Sequence, residues 1–146
     1  MSFRVIRVAE ATWQGTASDG GGRIGLGSGA FEGPYSLRTR VEDVERATNP
    51  EELIAAAQAG CFTMSLANLL ADVGHPARDL HTTAKVRLEQ VPTGFDITRI
   101  ELRTRAEVPG LDPATFERIA QEAKNCTVSR ALTGTEITLE ASLAGD

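Results

Sequence analysis

Apolar residues lie on all sides of the segment from Leu53 to Leu70 and do not form a single stripe. Asn49 and Pro50 precede this segment, and such a pair is typical of a helix cap followed by the first helical position. Gly74, followed by Pro76, indicates where the helix ends. Because a helix that is apolar all round is normally buried, the pattern predicts a long buried helix that the rest of the chain covers.

Gly60 lies within this helix, directly before Cys61. A glycine in mid-helix costs about 1 kcal/mol relative to alanine, so its presence needs a structural reason. One reason is a close helix–helix contact that leaves no room for a side chain. The other is a break or bend between Gln58 and Gly60, which would place Cys61 at a new helix N-terminus, where the dipole favours a thiolate. The glycine alone leaves both alternatives open.

Alternating apolar and polar residues predict strands in much of the remaining chain. In residues 95–108 one face is apolar and the other is charged, which predicts an antiparallel sheet with one solvated face. In residues 35–41 the period of two places Arg38 and Arg40 on one face of a short strand. Further strands are predicted at residues 4–13, 23–31, 80–89 and 137–143.

A second helix is predicted to begin at Asp112, with Pro113 at its first position, and to end near Lys124. Cys126 follows it and precedes a short helical turn over residues 128–132. Helices and strands are therefore both predicted in the chain. Neither an internal repeat nor a linker interrupts the chain, so we expect a single domain over residues 1–146.

The net charge is −5 and basic runs of five residues do not occur, which argues against nucleic acid or an anionic membrane as a partner. Gln58, Ser65 and Asn68 interrupt the longest apolar run, so a membrane span is not expected. The first residues lack the apolar core of a signal peptide, and a cytoplasmic location is expected. In that reducing compartment, two cysteines are expected to be free thiols or a redox pair.

The candidate site residues are Cys61, Cys126, Glu51 and an arginine, either Arg38 or Arg40. Both cysteines lie at predicted helix boundaries. An arginine near Cys61 would favour its thiolate, and Glu51 could hold the guanidinium by paired hydrogen bonds. Ten residues of straight helix span about 15 Å, so Glu51 and Cys61 could share a site only if the helix breaks or the arginine bridges part of the gap. With two histidines and no Cys-x-x-Cys, a metal site is not expected.

The segment from Thr48 to Phe62 reads TNPEELIAAAQAGCF and resembles the signature of the OsmC/Ohr family of thiol-dependent organic hydroperoxide peroxidases. The resemblance extends over nearly the whole chain. The early Trp-x-Gly and Pro-Tyr motifs are closer to the OsmC branch than to the Ohr branch. The matching positions outside the signature are Trp13-Gln14-Gly15, Pro34-Tyr35 followed by an arginine, Val108-Pro109-Gly110, Ala131-Leu132 and Glu136-Ile137-Thr138-Leu139.

The resemblance assigns a role to each candidate residue. Cys61 corresponds to the peroxidatic cysteine and Cys126 to the resolving cysteine. Glu51 corresponds to the acidic residue of the family. Arg40 is the preferred arginine because it ends the short segment after Pro-Tyr, while Arg38 remains possible.

The resemblance also implies a reaction cycle. The Cys61 thiolate attacks an alkyl or fatty-acid hydroperoxide and becomes a sulfenic acid, and Cys126 then forms a disulfide that a dithiol such as a lipoyl group reduces. No cofactor is implied. Thr127 stands where the family often has proline, which loosens the backbone beside Cys126.

The resemblance implies an α+β fold of the OsmC-like type, an intertwined homodimer in which antiparallel sheets wrap long central helices. Two other functions are compatible with this fold. One is a non-enzymatic protein that binds hydrophobic ligands, with its cysteines merely buried. The other is a thiol sensor of stress.

Overall fold

The computed structural model describes residues 2–145 of the chain. Two compact units are present, one ending at Leu53 and the other beginning at Ile54. The expectation of a single domain over residues 1–146 stays a prediction. The elements in chain order are β1 (Ala9–Gln14), β2 (Gly21–Leu26), β3 (Glu32–Tyr35), α1 (Leu37–Val41), α2 (Pro50–Asp72), β4 (Asp79–Val91), β5 (Gly94–Glu107), α3 (Pro113–Ala123), α4 (Thr127–Ala131) and β6 (Glu136–Leu143).

The first unit contains a three-stranded antiparallel sheet in the order β1-β2-β3. Two of its strands differ from the prediction. The strand predicted over residues 4–13 begins too early, because β1 pairs with β2 only from Ala9 onward. The predicted strand over residues 23–31 is too long, because a turn follows Leu26 and contains Gly29 in the left-handed region at φ +80°.

The predicted strand over residues 35–41 is wrong, because most of this segment forms the helix α1. Ser36 and Thr39 form a capping box: Ser36 Oγ accepts from the Thr39 amide at 3.2 Å, and Thr39 Oγ1 accepts from the Ser36 amide at 2.8 Å. This cap outweighs the period-two pattern. Residues two apart on a helix point to different sides, so Arg38 and Arg40 do not share a face.

The second unit contains the mixed sheet β4-β5-β6. β4 and β5 pair antiparallel, but β6 runs parallel to β5, so the expectation of a purely antiparallel sheet is wrong. The reason is the connection: α3 and α4 lie between β5 and β6 and return the chain to the end of the sheet where β5 begins. The cap of α3 is as predicted, since Asp112 accepts a 2.9 Å hydrogen bond from the Thr115 amide.

The long helix α2 is continuous, so of the two alternatives that Gly60 left open, the break between Gln58 and Gly60 does not occur. It begins as expected, since Asn49 Oδ1 accepts a 2.7 Å hydrogen bond from the Glu52 amide, and Gly74 follows its end at φ +83°. Within the described chain, space is open where a side chain at Gly60 would lie. The glycine therefore makes no close helix–helix contact within one chain.

Only one stripe of α2 is buried in a single chain, so the helix is not covered on all sides as its composition predicts. Met64, on another face, is 75% exposed. The buried stripe belongs to a core that also includes β5 and α3. Its members in these three elements are Phe62, Leu66, Leu70, Leu102, Ala106, Phe116, Ile119, Ala120 and Ala123.

By length and composition α2 could span a membrane, with a mean hydropathy of 1.5 over its most apolar window. The sequence pattern predicts no such segment, because Gln58, Ser65 and Asn68 interrupt the apolar run. Length and hydropathy do not distinguish a membrane span from the core helix of a globular protein. The packing of its buried stripe against the sheet and α3 is that of a core helix.

Candidate active site

The second unit brings Cys61 and Cys126 together although 64 other residues separate them in the chain. Both are free thiols, and the Val128 amide that contacts Cys61 belongs to the short helix α4 that Cys126 begins. Cys61 lies in the middle of α2 and is half-buried, so the prediction that it sits at a helix boundary is wrong. Cys126 is the N-cap residue of α4, as its position predicts, and it is buried. Cys61 is therefore the more exposed of the two residues.

Backbone amides at the start of α4 face the sulfur of Cys61. The Val128 amide donates to Cys61 Sγ at 3.5 Å. Burial raises the pKa of the Cys61 thiol and the Val128 amide lowers it, but the neighbouring Cys126 raises it further, so the net shift is upward. Within one chain, the surroundings of Cys61 therefore favour its thiol form over its thiolate.

Cys126 responds in the opposite direction because its partners stabilise the thiolate. Ser129 Oγ lies 3.4 Å from Cys126 Sγ. Burial raises the pKa of Cys126, but the hydrogen bonds from Ser129, Cys61 and Val128 outweigh it and hold the pKa below its ordinary value. Of the two cysteines, Cys126 is therefore the one whose thiolate is favoured by its surroundings.

Ser129 itself has a partner on α2. The amide Nε2 of Gln58 donates to Ser129 Oγ at 2.8 Å, and Gln58 is fully buried. Sequence reasoning did not include either residue in the site. Two signals could have pointed to them: a polar Gln58 in an otherwise apolar helix, three residues before Cys61, and a serine three residues after Cys126.

The first unit pairs Arg40 with Glu51 in the bidentate geometry expected of this arginine and carboxylate. Arg40 Nε donates to Glu51 Oε1 and its NH2 group donates to Oε2, both at 2.9 Å. The side chain of Glu51 is only 9% exposed and that of Arg40 is 34% exposed. Arg38 instead pairs with Glu42 at 2.8 Å on the surface. Of the two candidate arginines, Arg40 is the one that contacts the candidate acid.

Hydrogen bonds between α1 and the start of α2 fix the geometry of the Arg40–Glu51 pair. Thr39 Oγ1 donates to the Thr48 carbonyl at 2.7 Å. Asn49 Nδ2 donates to the Thr39 carbonyl at 3.0 Å, while its Oδ1 caps α2. Asn49 thus joins the two helices, one carrying the guanidinium and the other the carboxylate. Over residues 2–145, no cluster of three potential metal ligands occurs.

Two three-stranded sheets, a long helix and a neighbouring pair of free thiols define an α+β protein with a dithiol site. The model of the OsmC family, described as OsmC-like protein, matches residues 42–141, and the chain belongs to this family. The chain is 44% identical to peroxiredoxin OsmC of Escherichia coli over 136 residues, which cover 92% of this chain and 94% of that protein. These matches confirm the resemblance predicted from the sequence.

A second relative and two solved structures complete the comparison. Organic hydroperoxide resistance protein OhrA of Bacillus subtilis is 31% identical over 105 residues, covering 69% of this chain and 72% of that protein. An OsmC-like protein of unknown function from Vibrio cholerae superposes with a TM-score of 0.75 at 19% identity, over 94% of this chain and 99% of that one. An organic hydroperoxide resistance protein from Elizabethkingia anophelis gives 0.73 at 23% identity, over the whole of both chains. The two structures show that this chain has the OsmC-like fold.

Proposed function

We propose that the protein is a thiol-dependent peroxidase that reduces organic hydroperoxides to alcohols. The observation that carries the proposal is the position of Cys61 Sγ, 3.5 Å from the amide of Val128, which makes Cys61 and the N-cap residue Cys126 neighbouring free cysteines of unequal exposure. The names of the relatives support it, since they include a peroxiredoxin and an organic hydroperoxide resistance protein. The substrate class is an alkyl or fatty-acid hydroperoxide, and the expected location is the cytoplasm.

In the first step the Cys61 thiolate attacks the distal oxygen of the hydroperoxide. The S–O bond forms as the O–O bond breaks, and the alkoxide takes up a proton and leaves as the alcohol. Cys61 becomes a sulfenic acid. Val128 supports this assignment because its amide donates to Cys61 Sγ and stabilises negative charge there.

In the second step the Cys126 thiolate attacks the sulfenic sulfur of Cys61. The disulfide forms, the S–O bond breaks, and hydroxide leaves and is protonated to water. A dithiol reductant of the lipoyl type then reduces the disulfide and is itself oxidised. The proximity of the two cysteines supports this step, because Cys61 Sγ lies 3.5 Å from the amide of Val128, two residues after Cys126, and a sulfenic acid on Cys61 would form beside its resolving partner.

Arg40 and Glu51 complete the proposed catalytic set. A guanidinium that approaches the Cys61 thiolate in the working assembly would lower the pKa of Cys61 and oppose the effect of burial. Glu51 would keep that guanidinium in one orientation through its two hydrogen bonds. Arg40→Ala should therefore raise the Cys61 thiol pKa more than Arg38→Ala does. A larger effect of Arg38→Ala would show that Arg38, and not Arg40, has this role.

The working assembly is proposed to be an intertwined homodimer. The face of α2 that is uncovered in one chain supports this, since Ala56, Ala57, Gly60 and the 75%-exposed Met64 lie there. Small residues allow a second helix to approach closely, and burying Met64 would remove apolar surface from water. Sedimentation analysis at micromolar protein should give twice the mass of the chain.

Peroxide turnover tests the proposed function. Cumene and tert-butyl hydroperoxide are supplied with dihydrolipoamide, and the wild type is compared with Cys61→Ser and Cys126→Ser. We expect turnover in the wild type, none in Cys61→Ser, and one equivalent of peroxide consumed by Cys126→Ser as a sulfenic acid accumulates. Equal rates in the wild type and Cys61→Ser would refute the catalytic assignment and favour a binding protein.

A further inference from the structure

A polar chain runs through the apolar core beside the two thiols. Gln58 Nε2 donates to Ser129 Oγ at 2.8 Å, and Ser129 Oγ lies 3.4 Å from Cys126 Sγ. Gln58 is fully buried, Ser129 is 9% exposed and Cys126 is 5% exposed. Water therefore competes little with these contacts, and each hydrogen bond acts in a medium of low dielectric constant.

The direction of the hydrogen bonds follows from the groups involved. The amide nitrogen of Gln58 can only donate, so Ser129 Oγ accepts from it. The one hydroxyl proton of Ser129 is then available for Cys126 Sγ. A hydrogen bond donated to sulfur stabilises the thiolate of Cys126 relative to its thiol. Gln58 thus determines where the Ser129 proton points.

The other end of the Gln58 amide indicates that this arrangement does not serve stability alone. Among the described residues, Gln58 Oε1 has no hydrogen-bond partner although it is buried. An unpaired buried polar atom destabilises the folded protein, and an apolar side chain of the same length would avoid that cost. A reason for the amide is therefore needed, and the contact with Ser129 supplies one.

We propose that Ser129, oriented by Gln58, is a positioning residue that holds the Cys126 thiolate ready to attack a sulfenic acid on Cys61. The inference rests on the proposed peroxidase function and extends it to the resolving step. In that step the Cys126 electron pair forms the S–S bond, the S–O bond of Cys61 breaks, and hydroxide leaves with the former oxygen. Ser129 makes no bond to the substrate.

Single-turnover kinetics separate the two steps. The reduced protein is mixed with one equivalent of cumene hydroperoxide, and samples are quenched with dimedone at successive times. Mass spectrometry then quantifies the dimedone adduct of the sulfenic acid and the disulfide. Ser129→Ala should leave the rate of hydroperoxide consumption within about twofold of wild type. It should slow disulfide formation about tenfold, the factor that corresponds to the loss of one hydrogen bond to a charged group.

Two further variants test whether the hydroxyl acts as proposed. Ser129→Thr keeps the hydroxyl and should restore disulfide formation to within about threefold of wild type. Gln58→Met keeps the length of the side chain but removes the donor, and it should slow the same step. If the Gln58 amide had the reverse orientation, Ser129 would donate to Oε1, and Gln58→Met would then accelerate the step.

Thr104→Val provides the matched control. Thr104 is fully buried in β5 of the same unit, and its hydroxyl lies 2.9 Å from that of Thr82. Its loss removes a buried hydroxyl hydrogen bond without touching Ser129, so disulfide formation should keep its wild-type rate. If Thr104→Val slowed disulfide formation as much as Ser129→Ala does, the effect of Ser129→Ala would be a general loss of stability and not the loss of a specific hydrogen bond.

The outcomes distinguish the two proposals. If neither a dimedone adduct on Cys61 nor a disulfide forms in the wild type or in any of the variants, the proposed peroxidase function itself is refuted. Normal sulfenic acid formation combined with a wild-type rate of disulfide formation in Ser129→Ala would overturn only the positioning role. The positioning role would also be overturned if Ser129→Thr did not restore the rate of disulfide formation, or if Gln58→Met increased that rate.

Discussion

Removing the guanidinium of Arg40 should destabilise the protein far more than removing that of Arg38. Arg40 makes two 2.9 Å hydrogen bonds to Glu51, whose side chain is 9% exposed. Arg38 pairs with Glu42 where both side chains are mostly in solvent. Loss of one partner from a buried pair costs about 3–5 kcal/mol, whereas an exposed pair on one helix contributes about 0.3–0.5 kcal/mol.

The exposure of Arg40 reduces the first of these figures. Its side chain is 34% exposed, so solvent already screens part of the interaction. We therefore expect Arg40→Met to lower the free energy of unfolding by about 2 kcal/mol and Arg38→Met by less than about 0.5 kcal/mol. Methionine keeps the length of the arginine stem, so the comparison isolates the charged group.

Urea unfolding followed by circular dichroism measures both changes. Protein concentration is held fixed, because association contributes to the stability of an oligomer. The midpoints should differ while the slope m stays constant. In the double variant Arg40→Met with Glu51→Gln, the buried charge is gone, so the cost should be at least about 1 kcal/mol less than the sum of the single costs. Equal midpoints for the two arginine variants, or strict additivity, would contradict the buried pair.

Three further changes test the fold and the assembly. Hydrogen bonds from Thr115 hold the pKa of Asp112 below its ordinary value of 3.8, so the carboxylate stabilises α3 above that value. The difference in urea midpoint between wild type and Asp112→Asn should therefore be constant near neutral pH and should close as the pH falls through the folded-state pKa of Asp112. Met64→Glu should convert the proposed dimer to monomers in a sedimentation experiment, and a mass equal to that of the wild type would contradict an interface at Met64. Leu102→Ala, at a position 2% exposed, should cost about 2–5 kcal/mol in thermal or urea unfolding, and Leu111→Ala, at a half-buried position, should cost clearly less.

The sequence predicted those elements whose signals are local. Asp112 followed by Pro113 defines the start of α3, and the alternation over residues 95–108 defines β5 to within one residue at each end. The limits of α2 follow from Asn49 and Gly74 in the same way. The match of the signature around Cys61 to the OsmC family likewise depends on contiguous residues, and the comparisons confirm it.

Features that depend on distant partners were missed. The parallel pairing of β6 with β5 depends on the path of α3 and α4, which no strand pattern contains. The contact between Gln58 and Ser129 joins residues 71 positions apart, and neither belongs to a recognised motif. α1 is the exception, since the Ser36–Thr39 capping box is local but was outweighed in our prediction by the alternation of residues 35–41.

The position of Gln58 explains how stability and reactivity can oppose each other in one helix. α2 contributes Phe62, Leu66 and Leu70 to the core, and an apolar residue at position 58 would continue that stripe. The chain instead buries an amide whose oxygen has no hydrogen-bond partner among residues 2–145, a cost of about 1–3 kcal/mol. Residues selected for stability alone avoid such costs, whereas functional sites often retain them. Gln58 therefore belongs with the thiols that it neighbours and not with the core that surrounds it.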